Sequence, residues 1–565
     1  MAAQVPLIWI TAVVVLALLI IAAGAFVKIY QSKRDRDAFV TTVCILSLTC
    51  LLATVCLFPV DIALVSSTTS SHGFKKPWAT PETVHHILLS LKIVYYLLYS
   101  LDAVLCLIVI PFAYFWYEEW DVGTTVKQRL KGALKYSIFF LALFILLLVV
   151  GLFVPAAREM KRRQPLDLEY FKRLLLENHG ERSLTFIVGI LMCLGTILFV
   201  IYTAPGLAVT PMVLIKSIPT ASVPGLAQAT SEALAINRER QRAIEAKYTN
   251  STAHLNSRDR RELESLQREE RTLVRRRRIA EESVSSRSKR IWLKLCAIGR
   301  PFKIAGGIIT LLITILLIVS MLITGIDKLR NSRCGRHCGF ILPYTYILNP
   351  INSLFVAASR AFPVDYILAL ALVLLFFIAS VIGIAFIGIR FLWVSIFKLR
   401  VGGTKPQGLL LTTVMLTLIT LAVNYSFTML LFPSYAHFGG QKYCNLLPCT
   451  ATSPLAICTP TVVSSFINRI TLNFPFLGVI MFYAQFVAMG VYAVVLITGI
   501  VWTPRLAGRG DEEEEEEEEE GLLASAGRGG RVAWEDLSGD WGELHQKLGI
   551  FDRRVPGPGA LRTRC

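Results

Sequence analysis

Residues 7–36 read LIWITAVVVLALLIIAAGAFVKIYQSKRDR, an apolar run that ends at Lys28 and is followed by Lys33, Arg34 and Arg36. About 20 apolar residues match the hydrocarbon thickness of a bilayer, and inside it only a helix satisfies its own backbone. Cationic residues beside a short span are retained in the cytosol, so the N-terminus is expected outside or in a lumen. No positive stretch precedes the run and it is long enough to cross, so it reads as an anchor rather than a cleaved signal.

Working outward, the same kind of segment recurs near 38–65, 87–115, 134–154, 184–215, 303–325, 364–396, 408–432 and 478–502. The composition agrees, at 54% hydrophobic and 17% charged residues with a mean hydropathy of +0.56. The expected fold is all-α, a polytopic membrane protein of about nine helices. Alternation then places 116–133, 216–302, 397–407 and everything after 503 in the cytosol. Lys127, Arg129, Lys131, Lys398, Arg400, Lys405, Arg505 and Arg509 fall in those stretches, as the positive-inside rule requires. Arg158, Lys161, Arg162 and Arg163 in the outer loop 155–183 run against it, diluted by Asp167, Glu169 and Glu177. Four regions follow: a five-span bundle (1–215), a basic cytosolic helical loop (216–302), a four-span bundle with cysteine-bearing outer loops (303–502) and an acidic tail (503–565).

The net charge is +18, and half of it sits in one place. Residues 216–300 hold 19 Lys/Arg against 10 Asp/Glu. Leu263, Leu266, Leu273 and Val274 recur at helical spacing within 257–283, beside the basic cluster Arg275, Arg276, Arg277 and Arg278. A basic amphipathic helix between spans lies on anionic lipid or packs as a helical hairpin, with protein docking as the alternative. Nucleic acid is not expected, because only Tyr248 and Trp292 offer stacking platforms among the cations.

Of 12 cysteines, Cys334, Cys338, Cys444, Cys449 and Cys458 fall in outer loops, which fits one or two disulfides in an oxidising compartment. Five is odd, so one thiol stays free unless it pairs across a homodimer. Cys334, His337 and Cys338 lack a fourth ligand, so no metal is expected. The sequons at Asn250 and Asn424 fall in the cytosolic loop and inside a span.

No P-loop, H-E-x-x-H or G-x-S-x-G occurs, and the eight histidines are scattered. No enzyme and no catalytic residue is proposed. Charge inside a bilayer marks structure or function, which singles out Asp61, Asp102, Asp365 and Arg390. Asp102 follows Tyr95, Tyr96 and Tyr99, so it is expected to bond tyrosine hydroxyls or water; a polar cavity open to a ligand or proton is the alternative. Phe58-Pro59-Val60-Asp61 recurs as Phe362-Pro363-Val364-Asp365, and each proline is expected to break or start a helix, with Asp365 capping one. The apolar stretch from Phe340 to Phe362 contains Pro343, Pro350 and Arg360 and reads as interfacial or re-entrant. In the tail, Glu512 to Glu520 precede Leu522 and Leu523, so Glu518, Leu522 and Leu523 have the spacing of an acidic dileucine sorting signal.

The ordered set Phe58 to Asp61, Tyr95-Tyr96, Leu98-Tyr99-Ser100, Ile110-Pro111-Phe112, Tyr117-Glu118-Glu119, Arg300-Pro301, Asp327-Lys328, Cys338-Gly339-Phe340, Asn349-Pro350, Phe362-Pro363 and Pro406-Gln407 resembles the limb-region membrane-protein family. The resemblance covers about residues 38–410 and rests beyond them on span count. It implies nine spans, an outer N-terminus and a long cytosolic helical loop. It further implies a lysosomal membrane protein that assists cobalamin export beside an ATP-binding-cassette half-transporter of the D subfamily, with a cytosolic cobalamin-processing chaperone as partner. Cobalamin would be cargo, not a bound cofactor. Other branches imply clathrin-adaptor-dependent endocytosis, including that of the insulin receptor, or a surface receptor for a lipocalin-like ligand. Those functions would place the chain at the plasma membrane and in coated vesicles. A transporter in its own right, using a cavity near Asp102, is the remaining expectation. The D-x-H-x-x-G pattern of one class of cobalamin-binding domains is absent.

Overall fold

The computed structural model describes residues 4–32, 35–70, 74–119, 125–153, 179–216, 224–249 and 300–501, with short gaps in the last range, and ten residues between 262 and 274. The sorting signal (Glu518, Leu522, Leu523), the cluster Arg275 to Arg278, Cys334 and Cys444 lie outside the described residues. Among those described, nine helices are long and apolar enough to cross a membrane: Val13–Tyr30, Ala38–Ser67, Pro81–Glu118, Val126–Phe153, Glu181–Ile215, Pro301–Asn331, Val364–Ile387, Pro406–Leu431 and Pro475–Val501. They are numbered here as the first to ninth spans. The chain is an all-α, multi-pass membrane protein; among the described residues its strands form two small hairpins, Ile389–Phe391 with Val394–Phe397 and Lys442–Tyr443 with Leu447–Pro448.

Contacts divide the chain into two compact units, 1–219 with 291–500 and 220–290 with 501–565. All nine spans therefore belong to one body. In the other, helix Pro224–Thr249 pairs with the helical residues between 262 and 274. Arg238 bonds Glu270 at 2.6 Å, Asn237 bonds Glu269 at 2.9 Å, and Gln241 donates to the Leu266 carbonyl at 3.0 Å. Leu234, Ile244 and Leu266 are buried between the two stretches. That is a helical hairpin.

The eighth span is the axis of the bundle, 89% buried where the fourth is 6% buried. Its threonines make this tolerable, because Thr412, Thr413, Thr417 and Thr420 return their hydroxyls to carbonyls three or four residues back. The fifth span changes neighbours halfway: its first half packs on the fourth and eighth, its second on the sixth and seventh. Three wide π-type turns interrupt spans, at Leu105–Val109, Phe199–Thr203 and Phe427–Leu431. Each ends two residues before a proline: Pro111, Pro205 and Pro433. A proline donates no hydrogen bond and its ring crowds the carbonyl one turn back, so the preceding turn widens to relieve the clash.

Several expected boundaries move. The seventh span stops at Ile387 rather than near 396, because Gly388 takes φ +75° and turns the chain into the first hairpin. The third and fourth begin earlier than expected, the third at Pro81 behind a Thr80 cap whose hydroxyl accepts from Thr83 N. Pro59, expected to break the second span, lies inside the continuous helix Ala38–Ser67; its twin Pro363 does precede a helix start, at Val364.

Candidate functional site

The end of the bundle that carries the loops after the second, sixth and eighth spans is not simply loop. Three short helices are set into it, Pro350–Ala358, Pro433–Phe438 and Val462–Asn473. The second continues the eighth span after a break at Phe432, and the third enters the ninth through a break at Phe474. Phe432 has φ −143° and ψ 66°, Phe474 has φ −127° and ψ 72°. Both precede a proline, and the ring of that proline drives the residue before it out of the α region. The two last spans are therefore broken helices with the same backbone kink. Membrane transporters build binding sites from such interruptions, since freed backbone groups and polar side chains meet there.

The freed groups in the eighth span are satisfied by one motif, Asn349-Pro350-Ile351-Asn352. Asn349 Nδ2 donates to the Leu431 carbonyl at 2.9 Å and to Thr324 Oγ1 at 2.7 Å. Asn352 Oδ1 accepts from Ser434 N and Tyr435 N, both at 3.1 Å. One asparagine thus holds the end of the helix before the break, the other the start of the helix after it. Rings of Phe58, Phe355, Phe427, Phe432 and Tyr435 pack around the kink.

Beside the breaks runs a line of buried polar side chains. Asp61, on the second span, accepts from Val463 N at 2.9 Å, at the start of helix Val462–Asn473. The Tyr95 hydroxyl faces Asp61 without a well-aligned hydrogen bond, and Tyr99 stacks on Tyr95 with ring centroids 5.7 Å apart. Next comes Asp102, which accepts from Thr54 Oγ1 at 3.0 Å, with the Cys50 thiol on it as well. Asn424 of the eighth span faces Tyr99. Tyr95, Tyr99, Asp102 and Cys106 recur every third or fourth residue, so they share one face of the third span. At about 1.5 Å per residue the two carboxyls stand about 10 Å apart along the bundle. Both are essentially inaccessible to solvent, at 0% and 2% exposure.

Asp102 is therefore held by a threonine and a cysteine of the second span, not by the tyrosines expected to bond it. The helix-start role expected of Asp365 is filled by Asp61 instead. Asp365 caps no helix and accepts from the Tyr435 hydroxyl at 3.0 Å, whereas Asp61 holds the start of a helix some 400 positions away in sequence. Arg390, expected within the seventh span, lies beyond its end on an exposed strand, its Nε donating to the Ile387 carbonyl at 3.0 Å. Among the outer-loop cysteines, Cys449 is bonded to Cys458, and Cys338 is also in a disulfide.

Other residues of this end escaped sequence reasoning. Asp327 accepts from Tyr346 N at 2.9 Å and from Asn331 at 2.6 Å, and its neighbour Lys328 is buried against the Met429 sulfur at 3.4 Å. Arg469 reaches Glu181 at 3.3 Å and the Tyr96 hydroxyl at 3.0 Å, while Lys92 reaches the same glutamate at 2.8 Å. Those pairs tie helix Val462–Asn473 to the third and fifth spans. The repeated Phe-Pro at 432–433 and 474–475 was the available signal. A narrow crevice nearby, between Val55, Phe376, Leu416 and Val423, is apolar except for Ser380 and Thr420.

His437 lies just past the eighth span, its Nδ1 donating to the Pro433 carbonyl at 2.7 Å and its Nε2 accepting from Asn468 at 2.8 Å. Burial pushes its imidazole down from 6.5 to about 4, the nearby Lys328 acting in the same direction. The unfolded chain then takes up a proton before the folded one, so stability holds above about pH 6.5 and falls as pH drops toward 4. At about pH 5 the expected loss is about 2 kcal/mol. Thermal unfolding of the purified protein across that interval should show the slope, and His437→Phe should flatten it; an unchanged slope in the variant would refute the assignment.

Against known proteins, the model of the family described as LMBR1-like membrane protein matches residues 8–291. The chain is 51% identical to a Sclerotinia sclerotiorum protein named "Probable lysosomal cobalamin transporter", over 98% of each chain. Proteins of the same name from Ajellomyces capsulatus (51% identical, 95% of this chain and 96% of that one) and Coccidioides immitis (49%, 94% and 97%) are also similar. No solved structure matches. With a family model over half its length and relatives at about half identity end to end, the chain belongs to the LMBR1-like membrane protein family.

Proposed function

We propose that this chain serves the export of cobalamin from the lysosome to the cytosol, as a multi-pass protein of the lysosomal membrane. The observation that carries the reading is similarity along the whole chain to proteins named for that transport, with about half of all positions identical. The site supports it: two broken spans and buried polar groups are what a membrane protein that handles a polar cargo uses. The N-terminus is lumenal in this reading, so the end of the bundle with the three inset helices and the Cys449–Cys458 disulfide faces the lumen. The chain acts as no enzyme. As an escort it draws its energy from an ATP-binding-cassette half-transporter, hands cargo to a cytosolic chaperone, and reaches the lysosome through a clathrin adaptor that reads Glu518, Leu522 and Leu523. The broken spans favour a second form of the same reading, in which the chain lines part of the path itself.

The test is made in cells that lack this protein. Labelled cobalamin taken up by endocytosis is expected to accumulate in lysosomes, and returning the chain should release most of it to the cytosol. Trapping that persists although the returned chain sits in lysosomes would refute the reading.

A further inference from the structure

Five buried polar atoms along the second and third spans have no hydrogen-bond partner: Asp61 Oδ1, Tyr95 Oη, Tyr99 Oη, Asp102 Oδ1 and, on the eighth span, Asn424 Nδ2. Each carboxyl is bonded through Oδ2 and leaves Oδ1 free. A carboxylate in a bilayer core is expensive without a counter-charge, and an unpaired polar atom there calls for a specific explanation. Asp61 is faced by the start of helix Val462–Asn473, by Tyr95 and by Tyr99; Asp102 is faced by Thr54, Cys50, Tyr99 and Cys106. No described lysine, arginine or histidine forms an ion pair with either. The counter-charge must therefore be something small that leaves no side-chain partner, and a proton is the cation that fits between packed rings.

We propose that Asp61, Tyr95, Tyr99 and Asp102 form a proton-binding half-channel entered from the end of the bundle with the three inset helices. Asp61 stands six residues, about 9 Å, from that end of its helix, and Asp102 lies near the middle of the third span. A proton arrives on Asp61 Oδ1. Passage requires each tyrosine hydroxyl, unpartnered at rest, to turn into hydrogen-bond contact with its neighbour, where it accepts one proton and gives up its own, and the last lands on Asp102 Oδ1; no other bond forms or breaks. The line stops there. Beyond Asp102 come the Cys106 thiol and Thr417, whose hydroxyl is already bonded to the Thr413 carbonyl. A line that ends mid-membrane binds protons from one side without leaking them to the other. The Val463 contact also couples it to the inset helix, since Asp61 holds the start of that helix with the other oxygen.

Infrared spectra of the full-length protein in lipid vesicles, recorded after transfer to heavy water, test this with the solvent deuteron as probe. Protonated-carboxyl bands are expected, two of them from Asp61 and Asp102. Asp61→Asn should remove one and Asp102→Asn the other; in Asp61→Asn the amide oxygen still accepts from Val463. In Tyr99→Phe, which deletes one oxygen from a packed ring, the Asp61 band should exchange at the wild-type rate and the Asp102 band at least about tenfold more slowly. Tyr95→Phe should slow Asp102 likewise. Absence of any protonated-carboxyl band, or exchange of both bands at the wild-type rate in both tyrosine variants, overturns the proposal. Should an aspartate variant fail to fold, separation of a fast from a slow phase in Tyr99→Phe decides alone. None of these readouts involves cobalamin, so their failure and that of the export reading are distinguishable.

Discussion

Gly383→Ala is expected to lower the stability of the folded bundle by about 3 kcal/mol, at the upper end of what overpacking costs, and Gly383→Leu to abolish accumulation of the protein. The cause is a reciprocal contact between the fifth and seventh spans. A Cβ on Gly383 would fall on the Tyr202 carbonyl, and a Cβ on Gly206 would fall on the Ala379 carbonyl. Each helix presses its bare glycine against the other's backbone, so neither clash can be relieved by rotating a side chain. Only separation of the two helices relieves it, and that would pull apart the neighbouring Thr203–Ser380 hydrogen bond at 2.9 Å and the stacked rings of Phe199 and Phe376. Both substitutions force the same separation, so the double variant Gly206→Ala with Gly383→Ala should lose less than the two losses added. Gly195 meets the Leu418 carbonyl of the eighth span in the same manner. Gly306 and Gly490 are the controls, helical glycines in the sixth and ninth spans with nothing within 4 Å of a Cβ. Thermal unfolding of the purified variants should leave Gly306→Ala and Gly490→Ala near wild type. Equal losses at contact and control glycines would mean that close approach does not govern these positions, since helix propensity alone favours alanine.

None of those glycines stood out in the sequence, since a glycine in an apolar run reads the same whether it faces lipid or a neighbouring carbonyl. The spans themselves were legible because hydrocarbon leaves the backbone one solution, and the run ending at Lys28 needed no partner to declare itself. Burial was not legible to the same degree. The fourth and eighth spans are both apolar, yet few residues of the first are fully buried and nearly all of the second are. Threonine content was the only hint of the difference. Asp61, Asp102 and Asp365 were legible as anomalies, because charge in a span is costly wherever it sits. Their partners were not: Val463, Thr54 and Tyr435 are brought to them by tertiary packing from distant segments. The broken spans lay between. Phe432-Pro433 and Phe474-Pro475 state that a helix cannot continue, but not that a second helix resumes inside the bundle.

Asn349→Ala should cost about 3 kcal/mol, because a buried carbonyl loses its donor and a helix loses its cap at once. The side chain does both: Nδ2 serves the Leu431 carbonyl and Thr324, while Oδ1 accepts from Asn352 N and caps helix Pro350–Ala358. Aspartate separates the roles. Asn349→Asp keeps the capping oxygen and removes the donor, leaving the Leu431 carbonyl unpaired beside a new carboxylate, so it should be at least as damaging as alanine. At Asn352 the order reverses. That side chain reaches the break only as an acceptor, toward Ser434 N and Tyr435 N. Asn352→Asp should therefore be tolerated within about 1 kcal/mol, while Asn352→Ala, which strands two backbone amides, should lose about 2 to 3 kcal/mol. Thermal unfolding of the four purified variants gives the comparison, and aspartate tolerated equally at 349 and 352 would refute the division of labour. Asparagine carries a donor and an acceptor on one amide, so the same side chain can donate to a broken helix end and cap a new helix. Uncharged in both roles, it does so where a carboxylate would need a counter-charge. The kink at Phe432 is thus fixed from outside its own helix, and the aromatic cluster around it inherits its position from Asn349.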